Sequence, residues 1–482
     1  MGEREQVEAL RRSPLVEAVR RALPGGEGVW IVGGAVRDAV LGEEVRDLDL
    51  AVAGDPRPAA RAMAAELGGH AFELSAEFGT WRVVSRGREW QVDLSSVRGG
   101  GIEGDLAARD FTIGAVAVPL HAGDVVDPHA GLADLAARVL RAVGEHSFLD
   151  DPLRLLRAAR LAAQLELEID PATARLARAA AAHAAEPAGE RQLAELRQLI
   201  GGPDPLRGLA LLDELELTPV VLPEVEGLRG VEQGANHHLD VHGHTLAVLE
   251  HALEVEADLE RFAGERAAEV AALLDEPLAD EMSRRTALRF GALFHDIAKP
   301  HTRAERDGFV GFRGHDEVGA EVIGGICLRL RASRRLTQHL QALTLHHLRL
   351  GFLIQEMPLP PRRVHEYLRA TDPVTVDVTL LTVADRLSAR GAGPIASPEM
   401  VQAHLLLARE MIAAGLDWRR EGPPAPLLRG DELAAELEIE PGPRLGELLG
   451  ELEAAQYAGE VSDREGALAH AREWAGRSRD GS

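Results

Sequence analysis

Apolar positions change their rhythm partway along the chain. In EGVWIVGGAVRDAVLGEEVRDLDLAVAGD (27–55), two short apolar runs flank a glycine pair, a brief amphipathic stretch and a second glycine. That order predicts strand, turn, short helix, glycine stop and strand. The alternation in WQVDLSS (90–96) and the apolar TIGAVAV (112–118) predict further strands, so residues 26 to about 130 mix strands with helices. From LDDPLRLLRAARLAAQL (149–165) onward, apolar residues recur at helical spacing. GGPDP (201–205) reads as a turn, residues 250–285 as an acidic helical stretch with a solvated face, EMPLPPRR (356–363) as a connector, and REGPPAPLLRGDEL (420–433) as the opening of a last helical segment. The expected fold class is α+β, a sheet-bearing amino-terminal part followed by an all-helical remainder.

Composition adds limits. At 482 residues, a prior of roughly 150 residues per domain gives about three domains. A net charge of −25 argues against nonspecific binding to DNA or an anionic membrane, so any nucleic acid must meet local arginines. The single cysteine, Cys327, excludes disulfides within the chain and a cysteine-built zinc cage. The amino terminus has no apolar core for export and no run reaches ~18 apolar residues, which points to the cytoplasm. Of 53 lysine and arginine residues only Lys299 is a lysine, and it follows a His-Asp pair in LFHDIAKP (293–300). A compact ammonium and a planar guanidinium do different work, so this neighbourhood stands out.

Two constellations carry chemistry. In RDLDL, Asp47 and Asp49 sit two apart in a predicted strand, which puts both carboxylates on one face. Such a pair can hold Mg2+ bridged to substrate phosphates, although an ordinary exposed strand also carries such pairs. Upstream, Gly33 and Gly34 between strand and helix let the backbone approach a triphosphate, and Arg37 and Asp38 lie one turn into that helix. These residues resemble the signature of class II tRNA nucleotidyltransferases and bacterial poly(A) polymerases, in the polymerase beta superfamily. The resemblance continues through EGDLAARDFTIGAVAV (103–118), DPHAGLADLAARVLRAV (127–143), FLDDPLRLLRAARLAAQL (148–165) and GERQLAEL (189–196). It implies a polymerase-beta-like head with a small mixed sheet, and a nucleotide site including Arg109 and Asp110.

The same resemblance makes residues 148–165 the helix that selects the nucleobase. Asp150 suits its N-cap and Pro152 its first turn, and Asp151 and Arg154 share one face. A carboxylate accepts from the amino group that cytosine and adenine share, and a guanidinium donates to the adjacent ring nitrogen. Such a pair can choose C and A without a template, and the resemblance assigns this role to Asp151 and Arg154, the other reading being a plain i,i+3 ion pair. Arg157 is a candidate triphosphate contact, and Arg157, Arg160 and Arg191 are candidates to line an RNA path. The segment SSVRGGGIEG (95–104) is shorter than the loop many relatives use to switch from C to A. Addition of CC, or of CCA, to tRNA 3′ ends from CTP and ATP is thus implied. Asp93 is a candidate third carboxylate.

Around Lys299, the ligand-type residues His244, His295, Asp296 and Asp385 match the four-ligand pattern of the HD phosphohydrolase superfamily. His315, His346 and His347 fit its two-metal version, in which Lys299 faces phosphate. Imidazoles with carboxylates suit a divalent transition metal such as Mn2+, Ni2+ or Fe2+. His237, His238 and His242 read as incidental. The expected organisation is an N-terminal helix (1–25), head (26–145), helical neck (146–235), HD domain (236–400) and helical tail (401–482). The expected function is a tRNA nucleotidyltransferase with a second, phosphohydrolase site. A poly(A) polymerase, or mainly a metal phosphohydrolase or phosphodiesterase, is the alternative.

Overall fold

The computed structural model describes residues 3–25, 28–75, 79–87, 89–306 and 309–477. The ends of the expected amino-terminal and tail segments, 1–2 and 478–482, and the expected head's first two residues, 26–27, lie outside them. The chain forms two compact units, Met1–Val221 and Leu222–Ser482, where length alone suggested about three.

The first unit begins with two helices rather than one, Glu3–Arg11 and Pro14–Ala22. Ser13 makes the break: its hydroxyl accepts from Val16 N, and Pro14 opens the second helix. A six-stranded sheet follows, of β1 (Val29–Val32), β2 (Asp47–Val52), β3 (His70–Ser75), β4 (Thr80–Val84), β5 (Gln91–Ser96) and β6 (Ala117–Pro119). Its order is β3-β4-β5-β2-β1-β6, with β2 and β5 parallel and every other neighbouring pair antiparallel. Central β2 buries Leu48 and Leu50 on one face and presents Asp47 and Asp49 on the other. The strand expected over 112–118 shortens to β6. Thr112–Gly114 instead winds into a 3₁₀ turn, because Asp110 Oδ1 takes the Phe111 amide and Thr112 donates to Asp134.

Four longer helices complete this unit, Leu153–Gln164, Pro171–Ala180, Gly189–Ile200 and Pro205–Glu214. The helix expected over 148–165 is two pieces, Ser147–Asp150 and Leu153–Gln164. Asp150 does not cap the second piece; Asp151 Oδ1 accepts from Leu153 N at 3.2 Å, because Pro152 has no N–H and sets a corner.

The second unit is helical. Val241–Ala257, Arg284–Phe294, His315–Arg329, Arg334–His346, Thr375–Ser388 and Pro398–Glu421 build its main body. Gly430–Leu437, Pro443–Tyr457 and Arg464–Arg477 share a small core of their own around Leu433, Leu448 and Ala455. The acidic stretch at 250–285 is not helical throughout. It ends in a small hairpin, Pro277–Ala279 with Met282–Ser283, turned by Asp280 and Glu281 at φ +51° and +56°. Among the described residues, no helix is long and apolar enough to cross a membrane.

Candidate active sites in the two units

The glycine turn and the carboxylate pair meet in the first unit. Gly33 has φ +69°, and a Cβ there would stand 2.9 Å from Asp49 Oδ2 and 3.1 Å from Arg109 Nη1. Only glycine lets β2 present its acid this close to the turn. The Gly34 amide donates to Asp49. Loss of water around Asp49 raises its pKa, with the charge of Asp93 adding to the effect; the same two causes, in the same order, raise Asp47. Crowded oxygens whose protons are held too tightly are what a hard cation relieves, so this donor set fits Mg2+. Among the described residues, the head carboxylates do not join a third ligand closely enough to close around an ion. That suits Mg2+, which keeps waters and takes oxygens from substrate phosphates. Arg37 is tied to its neighbour Asp38 at 2.7 Å.

A cavity of about 280 Å³ adjoins this face, lined by Arg98, Arg109, Asp110, Asp151, Arg154, Arg157 and Arg191 among others. Asp151 and Arg154 are held apart rather than paired with each other. Arg154 donates to the carbonyls of Ala108, Arg109 and Ser147, and Asp151 pairs with Arg191 at 2.8 Å. The plain i,i+3 ion pair is therefore absent, and both groups are fixed from behind. Arg109 is braced by Asp105 and by the Gly114 carbonyl. Arg157 binds Asp110 at 2.9 Å and Glu195 at 3.3 Å. Arg160 does not line an RNA path: it is buried and held by Glu195 at 2.6 Å and by Gln164.

In the second unit the ligand-type residues converge at helix ends. The His-Asp pair sits just past Arg284–Phe294, with His295 as its C-cap. His295 and Asp296 are buried, as are His244, His315 and His347. Two groups have donor atoms within 4.8 Å of one another, His244 with His295 and Asp385, and Asp296 with His315 and His347. Asp296 lies between them, its Oδ2 at 3.0 Å from His295 and its Oδ1 at 3.2 Å from His315. His295, His315 and His347 each donate Nδ1–H to the carbonyl three residues back, Ala292, Phe312 and Thr344. In the neutral ring that fixes one tautomer and leaves the Nε2 lone pair for the second bond a metal-binding imidazole makes. The buried Nε2 atoms of His244 and His295 face carboxylate oxygens, Asp385 Oδ1 at 3.1 Å and Asp296 Oδ2 at 3.0 Å. A divalent transition metal fits this donor set.

Burial alone would raise Asp296 and Asp385. The charge of His295 outweighs it for Asp296, and the hydrogen bond and charge of His244 outweigh it for Asp385, so both carboxyls lie below their usual range. Lys299 Nζ contacts Asp296 Oδ2 and Gln233 Oε1 at 2.6 Å each and lies over the Phe312 ring at 5.3 Å. His346 is not a ligand: it ends its helix half-buried and accepts from Arg349 Nε at 2.9 Å. His237, set aside on sequence, joins the site. Its ring meets that of His244 at 4.5 Å, and burial pushes its pKa down to about 4.

Comparison with known proteins finds family models in both units. The family model described as Poly A polymerase head domain matches residues 29–141, and the HD domain model matches residues 241–390. A third, described as the probable RNA and SrmB-binding site of polymerase A, matches residues 166–228. The chain is 36% identical over 460 residues to the A-adding tRNA nucleotidyltransferase of Deinococcus radiodurans, covering 94% of this chain and 96% of that one. The chain belongs to the tRNA nucleotidyltransferase family. It is also 34% identical to the CC-adding tRNA nucleotidyltransferase of Thermus thermophilus, over 92% of this chain and 93% of that one. Among solved structures, a CCA-adding enzyme with ATP superposes with a TM-score of 0.63 at 20% identity, over 96% of each chain. The Thermotoga maritima CCA-adding enzyme complexed with tRNA gives 0.59 at 19% identity, over 98% of each chain. At that identity the likeness is one of fold.

The residues of this tRNA nucleotidyltransferase that sequence reasoning missed are mostly the braces. Glu195 holds Arg157 and Arg160, Asp105 holds Arg109, and Arg98 joins the cavity wall. Glu195 lies 35 and 38 residues from its partners, beyond any helical or strand period, whereas Asp105 and Arg109 stand at i,i+4, a spacing that could have signalled the pair. His237 carried no signal to separate it from His238 and His242.

Proposed function

We propose that this nucleotidyltransferase extends tRNA 3′ ends with cytidine and stops before the complete C-to-A sequence. The observation that carries this reading is the connection from β5 to the helix Ile102–Ala107. Only residues 97–101 span it, and it is a closed glycine turn. Gly99, Gly100 and Gly101 all have positive φ, a Cβ on Gly99 would meet the Gly104 backbone at 3.0 Å, and Asp105 accepts from the Arg98 amide. A turn pinned at both ends leaves no loop to reshape the base pocket between C and A.

In this reading Asp47 and Asp49 hold Mg2+, which when bound supplies Lewis-acid activation of the RNA hydroxyl and of the leaving pyrophosphate. The backbone at Gly33 and Gly34 leaves room for the triphosphate, and the helix Gly34–Leu41 points its amino-terminal end toward it. Asp151 accepts from the base amino group and Arg154 donates to the adjacent ring nitrogen. Both are preset by Arg191 and by the three carbonyls, so little ordering is needed when the base arrives. The 3′ oxygen bonds to the α-phosphorus as the bond to pyrophosphate breaks. We assign residues 26–145 to the head, 146–235 to the neck, 236–400 to the HD domain and 401–482 to the tail, and place the enzyme in the cytoplasm, where tRNA, CTP and ATP meet.

A second reading, addition of the terminal adenosine alone, draws on the A-adding relative. Purified protein with Mg2+ and tRNA ending at the discriminator base, or ending in CC, separates the two. Elongation of the first substrate by two nucleotides with CTP, and none of the second with ATP, is the expected result. Single-nucleotide extension of the CC-ended tRNA with ATP alone overturns cytidine addition, and a long A tract would mark a poly(A) polymerase.

For the second unit, the two imidazole-carboxylate groups bridged by Asp296 support a phosphohydrolase using a divalent transition metal such as Mn2+, Ni2+ or Fe2+. Lys299 has three ammonium protons and two partners, leaving one donor for a substrate phosphate oxygen. Hydrolysis of p-nitrophenyl phosphate by protein reloaded with each metal tests this; no turnover with any of them contradicts it.

A further inference from the structure

Arg82 sits in β4 and grips Asp93 of β5 through two parallel hydrogen bonds, Nε to Oδ1 and Nη2 to Oδ2, each 2.7 Å. The register places Arg82 directly opposite Asp93, and Asp93 directly opposite Asp49. One row across three strands therefore reads guanidinium, carboxylate, carboxylate, with Asp47 two residues along on the same face. Both partners are largely covered, their side chains 28% and 20% exposed. Arg82 also feels the charges of Asp47 and Asp49. Like charges directly opposite on a sheet repel, and neighbouring strands lie only about 4.8 Å apart. Three unneutralised carboxylates here would strain the face whenever no cation is bound.

We propose that Arg82 is a positioning residue, a resident counter-ion that holds Asp93 beside Asp47 and Asp49 in the metal-free enzyme and thereby lowers the affinity of that face for a divalent cation. This rests on the reading of Asp47 and Asp49 as cation ligands. The bidentate grip engages both Asp93 oxygens, yet a carboxylate has about four lone-pair sites, so Asp93 can still face a cation. The fixed positive charge of Arg82 opposes that cation through partly screened protein. A divalent and a unit charge some 7 Å apart in a medium close to water change a binding constant by about tenfold. Arginine suits the task because its fork is rigid and always charged.

The test titrates Mn2+ into the full-length protein and follows binding by the electron paramagnetic resonance of the free ion. The head's share is the binding lost in Asp49→Asn. Arg82→Gln is expected to tighten that share about tenfold. Arg82→Lys, which keeps the charge, should stay near wild type, and Asp93→Asn, which removes a carboxylate and frees Arg82, should weaken it. In chelator, Arg82→Gln should melt below wild type and recover when Mn2+ is added. A gain in affinity cannot come from misfolding. Unchanged or weaker Mn2+ binding in Arg82→Gln overturns the counter-ion role and leaves the ligand reading intact. If Asp49→Asn removes no Mn2+ binding, the ligand reading fails and the role of Arg82 with it.

Discussion

Gly33 and Asp49 act as one unit split between the turn after β1 and the strand β2. The turn's positive φ and the 2.9 Å approach to Asp49 Oδ2 leave no room for a methyl group. Gly33→Ala should therefore displace the carboxylate while the fold survives. Misplacement of about 1 Å at a reacting centre costs on the order of 100-fold, so single-turnover incorporation of labelled CTP should fall by about that factor. Wild-type incorporation would show that the turn does not set the acid. Lys299 poses the complementary case in the second unit. It is 6% exposed and wedged between Asp296, Gln233 and the Phe312 ring. Lys299→Arg puts a wider planar fork into that space, and phosphohydrolysis should drop about tenfold or more, with nucleotidyl transfer unchanged. Equal hydrolysis by both proteins would make the lone lysine incidental.

At the scale of elements, the helix Leu153–Gln164 is tied to the head by Arg157 and Asp110. Burial alone would push the Asp110 carboxyl up, but the charge of Arg157, with the Phe111 amide, outweighs it and the pKa is lowered. A depressed carboxyl contributes its stability fully above the unfolded value of about 4, and that contribution drains away as pH falls through the folded value. The wild type should thus lose melting temperature below about pH 4. Asp110→Asn should melt lower at pH 7 and show a shallower acid slope, in melts taken from pH 7 to pH 3. Identical slopes would mean that the tie carries no linkage. The short-range pattern foretold the helix but not its corner. Pro152 split the expected segment, and the cap fell to Asp151 rather than Asp150 because only Asp151 reaches the Leu153 amide.

At the scale of the molecule, the two candidate sites lie in different compact units and use different donor chemistry, oxygen in the first and imidazole with oxygen in the second. They should be separable. Asp47→Ala is expected to abolish nucleotide incorporation and keep p-nitrophenyl phosphate hydrolysis, and Asp385→Asn to do the reverse, with circular dichroism confirming both folds. Loss of both activities in either folded variant would contradict two independent sites. The net charge of −25 is reconciled with an RNA substrate locally, since Arg98, Arg109, Arg154, Arg157 and Arg191 share one cavity.

The spaced histidines and aspartates were legible only through their resemblance to the HD phosphohydrolase pattern; what the chain determines by itself is whatever repeats within a turn or a pleat: the α+β division, Asp47 and Asp49 on one strand face, and the glycine turn. Those features rest on periods of two and 3.6 residues, which are local. Tertiary structure decided the choice among equivalent neighbours. His347 enters the candidate metal-binding group and His346 does not, because the helix Arg334–His346 ends between them and the chain turns. His237 is drawn in by its contact with His244, Arg160 is claimed by Glu195, and Asp93 gains Arg82 through strand register. Each of these depends on where a distant segment packs, and no local period encodes that.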